Sequence, residues 1–250
     1  MASIQRAMIE DVEVVEVNRG DGVWNARNEG IKRSTGEWLI FVDGDDEVSE
    51  DWFKLVRANE NNGDLILARL AKFAGEEDWR QNKGIRPFPG YWQACAYKRS
   101  ILPPEGFPPY VYGEDQLFFL RCMNRSTKVV DVDKVVYGYR QHQGSAVWRK
   151  PDKVKFLSRR DYAYYWLKES KTTSSLVARD ATWYLTFDLF LSEEHPWKEW
   201  YEGLERLKEV AAKLPWRYRV TAAVCRVVKY HWVTWALMYV PARISLKYGA

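Results

Sequence analysis

The chain has 250 residues, 46% of them hydrophobic and 29% charged, with a formal net charge of +4. That composition excludes a disordered chain, and the length suits one large α/β domain with extensions or two modest domains. The charge is uneven: residues 1–150 carry 21 Lys/Arg against 23 Asp/Glu, whereas residues 151–250 carry 17 against 11, so a nucleic-acid-binding face is not expected in the front half.

In chain order, residues 1–10 lack the apolar stretch of a secretion signal, and none is expected. Residues 12–17 (VEVVEV) read as a strand and 18–22 (NRGDG) as a turn. A short helix is expected over 24–35, ended by Gly36. Residues 38–42 (WLIFV) form a continuous apolar run, the pattern of a strand buried on both faces of a sheet. The run passes directly into Asp43-Gly44-Asp45-Asp46, after which Ser49 caps a helix to about residue 60 with Trp52, Phe53 and Val56 turned inward. Residues 65–70 read as a further strand.

Two irregular loops follow, 74–90 and the proline-rich 102–113, the second leading into Glu114-Asp115 at the start of a helix over 115–123. Residues 129–139 read as strand with a turn. Beyond residue 152 strand signals stop, and helices are expected over 152–170, 174–192, 197–213 and 217–247. This divides the chain into an α/β domain, 1–150, and an α-helical region, 151–250. The segment 220–244 is interrupted by Arg226, Lys229, His231 and Pro241, too broken for a membrane span. No acid follows Glu209, and Arg217, Arg219, Arg226 and Lys229 accompany Trp216, Tyr218, Trp232 and Trp235, which suits an anionic membrane interface. Cys95, Cys122 and Cys225 stand far apart without CxxC spacing, which argues for a reducing compartment over a disulfide or structural zinc scaffold.

Three clusters can carry chemistry. Carboxylates gathered at a strand's carboxyl end repel one another unless a cation or a donor-rich ligand neutralises them, and oxygen ligands suit Mg²⁺ or Mn²⁺. Asp43, Asp45 and Asp46 meet that description, although a solvated acidic turn is the plainer account. A calcium loop is excluded because Val48 and Lys54 fill the positions that need glycine and glutamate. Glu114 and Asp115 suit either a helix N-terminus or a general base. Arg140 and His142 face a phosphate or a metal in one account and structural partners in the other. Trp92 offers a ring on which a sugar can stack, with core packing as its alternative.

Taken in order, residues 22–31 (GVWNARNEGI), 36–46 (GEWLIFVDGDD), 97–100 (YKRS), 113–116 (GEDQ), and Tyr139-Arg140 with Gly144-Ser145 resemble the family 2 glycosyltransferases over roughly residues 10–148. The resemblance implies a GT-A-like α/β fold with a mixed sheet and a C-terminal helical extension. It also implies inverting transfer of a sugar from a nucleotide-diphosphate donor to an acceptor hydroxyl, in cell-surface polysaccharide or lipid-linked glycan synthesis. Asp43 and Asp45 then hold a divalent cation (Mn²⁺ or Mg²⁺) on the donor, with His142 as a further metal or phosphate ligand. Arg27 and Asn28 lie near the donor, and Asp115 is the general base with Glu114 beside it. Trp92 falls on the acceptor side. The acceptor is a glycan or lipid-linked molecule, and the chain is expected in the cytoplasm, peripheral at the inner membrane face.

One departure from the family pattern stands out. The opening strand ending near Pro-x-Tyr-Asn, its helix, and the strand ending in Asp-Asp-Gly-Ser are absent, roughly 40 residues against a strand–helix–strand unit of that order. An N-terminally truncated domain with an open sheet edge is therefore expected. Two other readings remain beside the enzyme: a non-catalytic remnant that binds glycans or scaffolds a partner, and a metal-dependent nucleotidyl- or phosphotransferase.

Overall fold

The computed structural model describes residues 11–18, 21–75, 77–87, 91–142, 153–171 and 197–214. Five strands form one sheet: β1 (Trp38–Ile40), β2 (Glu47–Val48), β3 (Leu65–Phe73), β4 (Cys95–Lys98) and β5 (Val129–Arg140). Their order is β1-β4-β3-β5-β2, with β3 and β5 parallel and every other pair antiparallel. The helices are α1 (Val23–Arg33), α2 (Asp51–Asn59), α3 (Glu114–Arg125), α4 (Lys153–Glu169) and α5 (Trp197–Val210).

β3 shows why the sheet is layered on both sides. Seven of its nine residues are buried, and alternate side chains enter different cores because successive strand residues point to opposite faces. Leu65 and Leu67 join Cys95, Tyr97, Phe107 and Phe118 on the face covered by α3 and, through Trp24 and Ile31, by α1. Ile66, Ala68 and Leu70 join Ala94, Ala96, Val136 and Tyr137 on the face covered by α2, where Trp52 is fully buried.

The apolar run of β1 serves two cores, Leu39 and Phe41 facing one, Trp38, Ile40 and Val42 the other. Among the described residues the strand pairs only with β4, antiparallel, and stands at the end of the sheet. Its open edge borders a groove of about 810 Å³, walled by Val12, Val15, Val17, Ala26, Phe53 and Val56 among others, with Arg27 and Asp43 on its lining.

Residues 12–17, expected as a strand, carry no ladder. The segment is tied by other contacts instead: Glu13 accepts from the Thr35 N–H at 2.8 Å, and Glu16 O accepts from Arg33 Nη1 at 3.2 Å. α2 begins at Asp51, one residue later than a Ser49 cap implies, and its N-cap residue is Glu50. Ser49 Oγ still accepts from the Asp51 N–H at 3.3 Å.

The chain divides into two compact units, Met1–Lys150 and Pro151–Ala250. In the second, Asp161 on α4 accepts from Arg206 on α5, and Arg160 reaches Glu202 at 3.2 Å. Tyr162, Tyr164 and Trp166 are buried, in keeping with packing aromatics. No helix among the described residues is long and apolar enough to cross a membrane. The expected helices 174–192 and 217–247 lie outside the described residues, as do Cys225, Gly144-Ser145 and the basic cluster at Arg217–Lys229.

Candidate active site

Two local features aim the acids. β1 ends at Ile40, and the chain then turns at 43–46, closed by the Asp46 N–H donating to Asp43 O at 3.0 Å. The proline-rich loop ends at Gly113, whose φ of 81° lies in the left-handed region that favours glycine, and α3 starts at the next residue. Glu114 and Asp115 thus fill the first turn of α3, where the exposed N–H groups favour negative charge.

Arg27, one turn into α1, joins these features. Its Nη2 is 2.9 Å from Asp43 Oδ1 and its Nη1 is 2.9 Å from Glu114 Oε1, with 11% of its side chain exposed. The guanidinium lies 4.6 Å from the Trp92 ring and 5.4 Å from the Phe107 ring. Flanking aromatics and two carboxylates hold this cation in place, and the acids beside it, Asp115 included, push its already high pKa upward against burial.

The carboxyls respond in turn. Burial pushes Glu114 and Asp115 above the ordinary carboxylate range, while the Arg27 charge pulls both back. Asp43 raises Asp115 further, so the two acidic motifs are close enough to act on one another. Asp115 Oδ1 accepts from the Gln116 N–H at 2.7 Å. A desolvated carboxylate of raised basicity, held ionised by a neighbouring cation, is suited to take a proton from a hydroxyl.

On the other side of the turn, Asp45 Oδ2 is 2.8 Å from His142 Nε2, both side chains being substantially exposed. Asp43 therefore faces Arg27 and Asp45 faces His142. The expected three-ligand set does not gather into a cage, and no group of three or more His, Cys, Asp or Glu side chains among the described residues does so. The cause is that Arg27 engages Asp43 from the opposite side.

Two further expected site residues are engaged by the protein itself. Asn28 Nδ2 donates to Phe107 O at 2.9 Å and its Oδ1 accepts from the Phe107 N–H at 2.8 Å, latching the proline-rich loop to α1. Trp92 is 1% exposed and packs with Phe41, Phe107 and Phe118, so its ring offers no face to a sugar and serves instead as the backing of Arg27. Arg140 also turns inward. It donates to Asp45 O at 2.9 Å, Gly75 O at 2.8 Å and Glu47 Oε1 at 2.6 Å, and lies over the Phe73 ring.

Sequence reasoning missed the floor beneath the acidic turn. Asp46, 7% exposed, accepts from the Tyr137 hydroxyl at 2.7 Å and from the Arg140 N–H at 2.8 Å. Burial raises its pKa to about 7, against the lowering effect of those two bonds. The only forewarning was the apolar alternation of β5, which marked Tyr137 as inward-facing without naming what it meets.

The description "Glycosyl transferase family 2" belongs to the family pattern that matches residues 2–116. EpsH of Bacillus subtilis (strain 168), itself only provisionally described as a glycosyltransferase, is 27% identical over 157 residues, which is 53% of this chain and 46% of that protein. The chain thus spans about half the length of that curated relative. Among solved structures, S. aureus TarS 1–349 in complex with UDP-GlcNAc superposes with a TM-score of 0.57 at 18% identity, covering 87% of this chain and 71% of that one. The same protein in complex with UDP gives 0.56 at 15% identity, over 83% and 67%.

Proposed function

From the match of residues 2–116 to the glycosyl transferase family 2 pattern and the GT-A-like fold shared with TarS, we propose that this chain moves a sugar, with inversion, from a nucleotide-diphosphate donor to an acceptor hydroxyl. The observation that carries the reading is Arg27, which binds Asp43 and Glu114 at once and so gathers the acidic turn and the start of α3 around one guanidinium.

Asp115 acts as the base. Its carboxylate takes the proton of the acceptor O–H, the acceptor oxygen forms a bond to the anomeric carbon, and the bond from that carbon to the diphosphate oxygen breaks with its electron pair leaving on the diphosphate. Arg27, itself held by Glu114, favours the ionised form of Asp115, and the aromatic backing of Trp92 and Phe107 keeps water from the guanidinium. The exposed Asp45–His142 pair and the outer oxygen of Asp43 are hard oxygen and imidazole groups suited to Mn²⁺ or Mg²⁺, with donor phosphates completing the set. A cation held there would supply positive charge against the charge developing on the departing diphosphate.

The complexes of TarS make UDP-GlcNAc the first donor to try. We place the acceptor among glycans or lipid-linked molecules at an anionic membrane face, reached through the basic, aromatic residues 216–235. Purified protein incubated with a panel of sugar nucleotides and Mn²⁺ should release nucleoside diphosphate. That release should fall by about 10²-fold or more in Asp115→Asn when an acceptor is present. Donor binding without turnover in any condition would instead favour a non-catalytic glycan-binding chain.

A further inference from the structure

Below the acidic turn, two residues of β5, Tyr137 and Arg140, and the turn itself form a set of hydrogen bonds that the transfer chemistry does not use. The Tyr137 hydroxyl is central. It donates to Asp46 Oδ2 at 2.7 Å and accepts from the Asp43 backbone N–H at 3.2 Å. It thereby joins the first and last residues of the turn through one oxygen. Asp46 Oδ1 takes the Arg140 backbone N–H at 2.8 Å, and the Arg140 Nε holds the Asp45 carbonyl at 2.9 Å. Glu47 fixes that guanidinium from the next residue, and its other oxygen accepts from Trp79 Nε1 at 3.1 Å.

We propose that Tyr137 and Asp46, with Arg140, are positioning residues that fix the directions of the Asp43 and Asp45 carboxylates and so determine how the site grips a cation-bound diphosphate. The functional half of this inference rests on the transfer reading above. The geometry has a simple logic. Every contact these three residues make with Asp43 and Asp45 goes to backbone atoms, which leaves both carboxylates free for Arg27, His142 and a ligand. Tyr137 is fully buried, so its hydroxyl has no water to exchange for these partners. A turn held only by its own Asp46-to-Asp43 bond would let the two carboxylates rotate independently. Residues that orient metal-gripping groups in this way commonly change metal affinity by about 10- to 100-fold when removed.

Tyr137→Phe is the cleanest test because it deletes one oxygen and keeps the ring that packs in the core. A comparison variant, Ser126→Ala, deletes a hydroxyl bonded to the Asp64 carboxylate, in the turns at the opposite end of β3 and β5. Two readouts are needed: Mn²⁺ binding in the presence of UDP, followed by electron paramagnetic resonance, and amide hydrogen exchange at residues 43–46 in the metal-free protein. Tyr137→Phe should weaken Mn²⁺ binding about 10-fold or more and speed exchange at Asp43, while Ser126→Ala changes neither. Asp46→Asn, which keeps an acceptor, should retain more binding than Asp46→Ala. If Tyr137→Phe binds Mn²⁺ like the wild type with unchanged exchange, the inference is overturned. If the wild type binds no Mn²⁺ with UDP, the transfer reading fails, and exchange at 43–46 alone then tells whether Tyr137 holds the turn.

Discussion

Replacing Arg27 with methionine removes the charge that the candidate site is built around while keeping much of the side-chain volume. Arg27 is 11% exposed and serves two carboxylates at 2.9 Å each, so solvent screening is slight. Breaking a buried pair by deleting one partner costs about 3–5 kcal/mol, and losing the guanidinium from the Trp92 ring adds roughly 1 kcal/mol. Protonation limits this loss. Burial and Asp115 already push the Glu114 carboxyl upward, and Arg27 is the cation that opposes them. Without it, folded Glu114 holds its proton to higher pH, while in the unfolded chain it ionises near the ordinary 4.5. Over the interval in which only the folded variant keeps that proton, stability falls as pH rises, by about 1.4 kcal/mol per pH unit. Urea unfolding followed by tryptophan fluorescence should therefore show a penalty about 1–3 kcal/mol smaller near pH 6 than near pH 8. The double variant Arg27→Met/Glu114→Gln should recover much of the loss near pH 8. A penalty that is below roughly 1 kcal/mol, or equal at the two pH values, would refute the idea that Arg27 neutralises these acids.

Three further outcomes concern separate parts of the chain. Gly106 has φ +67° and an added Cβ would lie 2.2 Å from Asn28 Oδ1, so Gly106→Ala should break the Asn28 latch and cost about 1–3 kcal/mol in urea unfolding, with faster proteolysis within loop 102–113. Asp46 has a folded pKa of about 7 against 3.8 unfolded. Its contribution to stability is whole below the unfolded value and is lost as pH rises through the folded one. Wild-type stability should thus drop by up to about 1.4 kcal/mol per unit between pH 4 and 7, a slope that Asp46→Asn flattens. Glutamate at Arg217, Arg219, Arg226 and Lys229 should abolish sedimentation with phosphatidylserine vesicles, and unchanged sedimentation would remove the membrane proposal.

The acidic turn and the Glu-Asp helix start were legible because each is local: an apolar run stops, turn residues follow, and acids fill a helix's first turn. β2 was not legible. Two residues, Glu47 and Val48, cannot show alternation, and they form a strand only because Gly138 and Tyr137 of β5 lie opposite. The run 38–42 was read correctly as apolar on both sides, a reading that says nothing of how many strands flank it. Hydrophobicity reports what covers a strand's faces, whereas the number of neighbours depends on edges that leave no mark in the side chains. Residues 12–17 illustrate the converse, since alternating valines can line a groove without entering a ladder.

The candidate site shows a sharper limit. Arg27 lies 16 residues from Asp43 and 87 from Glu114, and no spacing rule connects them. Its neighbour Asn28 comes from the same resembling segment, yet one side chain joins the acids and the other latches a loop, because adjacent residues on a helix point in different directions. The set that results is strongly acidic: among the described residues, Asp43, Asp45, Asp46, Glu47, Glu114 and Asp115 gather with Arg27, Arg140 and His142. Arg27 and Arg140 are already engaged by Asp43, Glu114 and Glu47, and burial drives Asp46 toward its neutral form. A diphosphate approaching such a cleft is repelled unless added positive charge accompanies it. The exposed carboxylates at Asp43 and Asp45, held outward by a turn whose backbone is pinned from below, are where that charge is most strongly drawn.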